Sequence, residues 1–192
     1  MAGDVPAATR EWVRIVVAEN ADDLLLYLKR RVDLPEDAAD LLGQVLLALW
    51  TNPWRVPTGD LDARMWCFGI ARNVLRDHHR QKVKQIALAD RLREHIQSSP
   101  QNENAADTTA WANQRARAIR TAIRTLDEKS RELVMLVHWD GFSLANAARL
   151  MSMNPSTART KHARALQRLE TELHHLTAAQ SSGARRDKAS TS

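Results

Sequence analysis

Two groups of residues in this 192-residue chain have types and spacings suited to nucleic acid. The first is Ser156, Thr157, Arg159, Thr160, Lys161 and Arg164, followed by Arg168. This stretch has four Lys/Arg and no acid, and Asn154-Pro155 introduces it. Hydroxyls and a guanidinium in the first turns of a helix can reach base edges in a major groove, and later cations can neutralise phosphates. The second group is Asn73, Asp77, Arg80 and Lys84, at i, i+4, i+7 and i+11 of a helix-forming segment, with Arg72 and Arg76 beside them. From Arg72 to Lys84 there are five Lys/Arg against one Asp. A helix that begins apolar and ends basic in this way suits a core-packed first half and a second half lying along a phosphate backbone. Between Thr51 and Asp62, Trp54, Arg55 and Thr58 lie in a loop with two prolines and a glycine. An exposed indole there can stack on an unpaired base; a tryptophan folded onto the core is the competing reading.

Other chemistry is hard to build from this chain. His78 and His79 are adjacent, so on a helix they point about 100° apart, and no third ligand is in register. No metal or cofactor is expected. There is no phosphate-cradling glycine loop, no paired-histidine motif with a glutamate, and no nucleophile beside a base. No catalytic residue and no enzymatic activity are expected. The single cysteine, Cys67, excludes an internal disulfide and a cysteine-based zinc site. A net charge of +5 favours a polyanionic partner. No signal peptide is visible, and the longest apolar run, Val45–Trp50, is far too short to span a bilayer. A cytoplasmic location is the expectation.

The elements that must position these residues read as helices. Phe142–Leu169 reads as helix, turn, helix. Gly141 breaks the preceding helix, Ser143 caps the next, and Leu144, Ala147, Ala148 and Met151 form its buried face. Met153 sits in the turn, and Pro155 opens the second helix at a position where its missing N–H costs nothing. Helices are also expected over 10–19, 22–32, 36–50 and 63–84, and then over 110–126 and 128–139. In 36–50, Leu42, Val45, Leu46 and Leu49 form the expected buried stripe, and Asp37, Asp40 and Gln44 a separate polar one. In 63–84 the expected apolar stripe is Trp66, Ile70 and Val74. Strand-like alternation is scarce, so the fold class is all-α, in two small helical domains. The boundaries are a disordered start at 1–9, a first domain at 10–85, a polar flexible linker at 86–109, a second domain at 110–174 and a disordered tail at 175–192.

The order and texture of these segments resemble the extracytoplasmic-function, or group 4, sigma factors of the sigma-70 family. Three stretches carry the resemblance: FGIARNVLRDHH at Phe68–His79, DAADLLGQVLLALW at Asp37–Trp50, and Leu126–Leu169 with its helix-turn-helix. It covers Arg10 to about Leu173. There are departures: Gly43 and Gln44 stand where the family usually has Gln and Glu, and the loop before Trp66 lacks its usual F-x-G-x-S. The resemblance implies a promoter-specificity subunit of bacterial RNA polymerase. Its partners would be the polymerase core (the clamp helices of the largest subunit, and the flap), promoter DNA, and in many members an anti-sigma factor. Asp37, Asp40, Leu41 and Gln44 would face the clamp. Trp54, Arg55, Thr58, Arg72, Asn73, Arg76, Asp77, Arg80 and Lys84 would meet the −10 element. Ser156, Thr157, Arg159, Thr160, Lys161 and Arg164 would meet the −35 element. A freestanding helix-turn-helix regulator is the alternative. It would need a dimer interface or an effector or phospho-acceptor domain, and the N-terminal half shows neither the alternating β/α texture of a receiver nor a ligand-sized β domain.

Overall fold

A computed structural model describes residues 5–93 and 118–189. The expected linker from 94 onward, the first residues of the 110–126 helix and the extreme termini lie outside the described residues. Helices α1 (Ala7–Lys29), α2 (Pro35–Thr51) and α3 (Asp60–Arg93) form the first unit. A 3-10 turn, Pro53–Arg55, lies between α2 and α3. The second unit holds α4 (helical over 118–124), α5 (Glu128–His138), α6 (Leu144–Leu150) and α7 (Pro155–Ala189). The chain divides into these units near residue 101, and no strand occurs among the described residues.

Helix α1 is one helix rather than the two expected, and it begins at Ala7, inside the segment expected to be disordered. Asn20, between the two expected helices, is buried, and its amide donates to the Val16 carbonyl at 2.8 Å, one turn back. With neither glycine nor proline from Ala7 to Lys29, nothing interrupts the backbone ladder. At the C-terminal end, Arg31 donates to the Tyr27 carbonyl at 3.0 Å and lies over the Tyr27 ring at 3.7 Å. Pro35 then starts α2, with Glu36 and Asp37 in the first turn, where the free N–H groups favour anions.

Two buried stripes differ from expectation. On α2 the buried row is Ala38, Leu41, Val45 and Leu49, while Leu42 and Leu46 are half-buried. On α3 it is Ala63, Cys67, Phe68, Ala71 and Leu75, with Trp66, Ile70 and Val74 at its edge. Each helix packs against two others, so its apolar arc is wider than one stripe and is centred on whichever residues face both neighbours. The Phe68 ring meets Tyr27 edge to face at 5.2 Å. Arg64 ties the same region to α1 through Asp23 at 2.7 Å and Asn20 at 3.3 Å. Burial pushes the Cys67 thiol up to about 11, which leaves it a packing residue.

Helix α3 continues to Arg93, so the first part of the expected linker is helical. Helix α7 likewise continues to Ala189 through most of the expected disordered tail. The α3 extension is rich in Ala, Leu and Arg, and the α7 extension in Ala and Arg, all of which favour helix. In the second unit Leu126, Val134 and Ala165 form a core against which Leu169 packs. Arg131 donates to the Ile123, Arg124 and Leu126 carbonyls and so closes the C-terminal end of α4.

Gly43 lies on the exposed side of α2, and a Cβ there would touch nothing within 4 Å. Gly43→Ala is therefore expected to stabilise the first unit by about 0.5–1 kcal/mol. Thermal unfolding of the free protein checks this; an unchanged or lower midpoint contradicts it.

Candidate nucleic-acid interface

The helix-turn-helix is assembled by local hydrogen bonds that its sequence dictates. Gly141 adopts φ +73° at the exit of α5, and the Phe142 N–H returns to the Leu136 carbonyl at 3.0 Å. Ser143 then caps α6, accepting from the Asn146 N–H at 3.2 Å. In the turn Ser152 adopts φ 51°, and the Met153 N–H bonds the Ala148 carbonyl at 2.8 Å. Asn154 caps α7, accepting from the Ser156 N–H at 2.9 Å. Ala147, Ala148 and Ala158 are all buried, and their small size lets α6 and α7 cross closely.

On α7 the candidate readers share a solvent-facing surface. Ser156, Thr157, Arg159, Thr160 and Arg164 are exposed, and Lys161 is half-buried. The Ser156 hydroxyl donates to Asn154 and the Thr160 hydroxyl to the Ser156 carbonyl. Both protons are used internally, so these oxygens face outward as acceptors, suited to the amino groups of adenine or cytosine. Lys161 reaches Asp127, the cap of α5, at 3.6 Å. The Ser130 hydroxyl and N–H hold the Asp127 carboxyl below its ordinary range, with Lys161 adding to the effect. Lys161 is thus partly a strut between α5 and α7. Arg159 and Arg164 make no ion pair among the described residues.

His162 has a partner that no local pattern signals. Its Nε2 lies 3.1 Å from Nε2 of His138, with the rings 8° from parallel and their centroids 5.2 Å apart. The two nearly parallel rings therefore meet through their Nε2 atoms. One donates and the other accepts. His138 occupies the last turn of α5.

In the first unit α3 exposes Asn73, Arg76, Asp77, Arg80 and Lys84, while Arg72 is half-buried. Arg76 donates to the Asn73 side-chain oxygen at 2.9 Å, which leaves the Asn73 amino group as the outward donor. Arg80 lies 3.7 Å from Asp77. Three neighbours on α3 turn the other way. His78 lies 3.6 Å from Asp37, His79 meets the Arg31 carbonyl at 3.2 Å, and Lys82 pairs with Asp33. They clip α3 to the α1–α2 turn, so Lys82 is absent from the exposed basic row. Trp54 is 66% exposed, and Arg55 and Thr58 are also exposed. The tryptophan therefore stands away from the core.

The four α2 residues expected on one outer face do not share it. Asp40 and Gln44 are exposed, but Asp37 turns toward His78, and Leu41 is 2% exposed within the core. Leu41 falls on the inner side because it lies one turn from Ala38 and Val45, which face α1 and α3. The outer face is instead Glu36, Asp40, Gln44, Leu47 and Trp50, acidic at one end and apolar at the other. Leu47 is 68% exposed and Trp50 45%. They were legible as apolar residues that no single stripe could bury along with Val45 and Leu49.

Residues 16–85 match sigma-70 region 2, and residues 116–169 match sigma-70 region 4. The chain therefore carries both domains in order and is a sigma factor of the sigma-70 family. It is 25% identical to the ECF RNA polymerase sigma factor SigL of Mycobacterium tuberculosis, over 88% of this chain and 93% of that one. It is 28% identical to the RNA polymerase sigma-E factor of Streptomyces coelicolor, over 82% and 83%. In fold it is similar to the sigma factor RpoE of Bartonella quintana, solved with the anti-sigma factor NepR. The TM-score is 0.65 at 19% identity, covering 84% of this chain and 96% of that one. Among the described residues no helix is long and apolar enough to cross a membrane, and no cluster of three metal-ligating side chains occurs.

Burial, and then His138, hold the His162 imidazolium below its ordinary range. A depressed histidine contributes stability above its unfolded value, near 6.5, and that contribution is lost as pH falls from there through the folded value. The second unit is expected to lose stability over that acidic window, and His162→Gln to flatten the loss. Thermal midpoints of both proteins across pH 5–8 check this; parallel curves contradict it.

Proposed function

We propose that this chain is a group 4, extracytoplasmic-function sigma factor that joins RNA polymerase core and directs initiation by reading two promoter elements. One observation carries the reading. Each unit has a helix whose buried side fixes an opposite, exposed and cation-bearing row: Asn73, Asp77, Arg80 and Lys84 on α3, and Ser156, Arg159, Thr160 and Arg164 on α7.

In this reading the first unit meets the −10 element. The Asn73 amino group and the Asp77 carboxylate address edges of unpaired bases, while Arg72, Arg76, Arg80 and Lys84 hold the backbone. Trp54 offers a stacking surface for a base taken out of the stack, with Arg55 and Thr58 beside it. The second unit meets the −35 element in the major groove, with Arg159 as the bidentate base reader and Arg164 on phosphate. On α2 the clamp-facing surface is Asp40 and Gln44, with Leu47 and Trp50 as apolar anchors in place of Leu41. An anti-sigma factor is part of the same proposal, supported by the similar fold of RpoE, which was solved in complex with one.

Binding of the labelled chain to purified core polymerase is the primary test. We expect saturable binding below micromolar concentrations, and Leu47→Ala with Trp50→Ala should weaken it by tenfold or more, in the range of interface hot spots. No binding at micromolar protein would overturn the proposal. Arg159→Ala should cost about 1–3 kcal/mol of discrimination between matched and scrambled −35 DNA. Arg164→Ala should weaken both DNAs alike and reduce the salt slope by about one. Lys161→Ala should reduce that slope by less, because its ammonium already faces Asp127. Equal effects of Arg159→Ala on both DNAs would displace it as the base reader.

A further inference from the structure

The loop carrying Trp54, Arg55 and Thr58 is short but held at three points. Pro53 is buried, and Val56 is 6% exposed. These two hold the loop from beneath, on either side of Trp54 and Arg55. The third hold comes from a distant part of the sequence. The Trp12 indole N–H donates to the Pro57 carbonyl at 2.9 Å, across 45 positions of the chain. Trp12 is half-buried on α1 beside Val13, which is fully buried, and one turn from Val16, which is 1% exposed. The indole is therefore carried by a helix that cannot shift without disturbing the core. Immediately beyond Pro57 come Thr58 and Gly59, and the Gly59 carbonyl accepts from the Ala63 N–H at 2.7 Å in the first turn of α3. The Trp12 bond thus fixes the chain at the point where the loop enters α3.

We propose that Trp12 is a positioning residue for recognition of the −10 element: its bond to Pro57 holds the loop in the shape that presents Trp54 and Thr58 to an unpaired base. This inference rests on the reading of that loop as the base-holding element. The physical ground is preorganisation. A loop fixed before the base arrives loses little conformational freedom on capture, whereas an unpinned loop must be ordered at that moment. Trp12 itself need not touch DNA. Its effect should appear in how sharply the loop discriminates bases, leaving core binding and −35 recognition unchanged.

The experiment uses the full chain assembled with polymerase core on promoter DNA carrying 2-aminopurine at successive non-template positions of the −10 element. Base unstacking is followed by fluorescence, and the ratio of opening rates on matched and base-substituted promoters is measured. Four proteins are compared: parent, W54A, W12F, and a chain with the sulfur isostere of tryptophan at position 12, which keeps both rings and lacks the N–H. Loss of one such hydrogen bond is expected to lower the discrimination ratio roughly three- to tenfold in both position-12 variants, with core affinity, −35 discrimination and thermal midpoint near the parent's. If W54A leaves discrimination unchanged, the loop reading fails and this inference with it. If W54A lowers discrimination and the sulfur isostere does not, the loop reading stands and the role of Trp12 is overturned. If the position-12 variants weaken core binding and both promoters alike, Trp12 is a structural residue only and the inference is likewise overturned.

Discussion

The register of α3 is the constraint on which the first unit depends. Phe68 is buried against the edge of Tyr27, and Ala63, Cys67, Ala71 and Leu75 line up with it. Burying a phenylalanine contributes roughly 1.5–3 kcal/mol, and the rest of the row adds to it. Rotating α3 by one residue, about 100°, would expose that row and carry charged side chains toward the interior. Neither cost is affordable for a small three-helix unit of ordinary marginal stability. Once the inner row is fixed, the helix period leaves Asn73, Asp77, Arg80 and Lys84 no choice but to face outward. His78, His79 and Lys82 reinforce the same register by holding the α1–α2 turn. Core packing and the presentation of the proposed nucleic-acid surface are therefore one fact about one helix.

In the second unit the equivalent constraint is close approach. Ala147, Ala148 and Ala158 remove the bulk that would keep α6 and α7 apart. Gly141, Ser143 and Asn154 set where each helix starts and stops. His138 and His162, and Lys161 with Asp127, then link α5 to α7 by polar contacts at its surface. None of these contacts is individually large, and exposed ion pairs of this kind contribute at most about 1 kcal/mol. In the proposed reading a modest reader suffices, because one chain joins two readers and engaging the first raises the effective concentration of the second.

Much of this was legible in the sequence, for identifiable reasons. The caps and the turn of the hairpin are local, so Ser143, Asn154, Pro155 and Gly141 announce themselves by type and position. The outward row on α3 follows from its spacing and charge. The centre of each buried arc did not follow: on α2 and α3 apolar residues occupy adjacent angular positions, and only the placement of two neighbouring helices decides among them. Leu41 is buried rather than outward, and Leu47 is exposed, for that reason. Pairings between elements were equally silent, as with Trp12 and Pro57, Lys82 and Asp33, or His138 and His162, since each needs the fold before its partner is known. The helices expected over 10–19 and 22–32 are one, with Asn20 buried between them and its amide bonded within the same helix.

The most direct measurement is permanganate footprinting of promoter DNA with the chain alone, with polymerase core alone, and with both together. Thymines of the −10 non-template strand should become reactive only with both present, in step with appearance of a transcript from the same start. Melting or a tight footprint produced by the chain without core would contradict the central claim. So would a stable complex with core that opens no promoter bearing both elements.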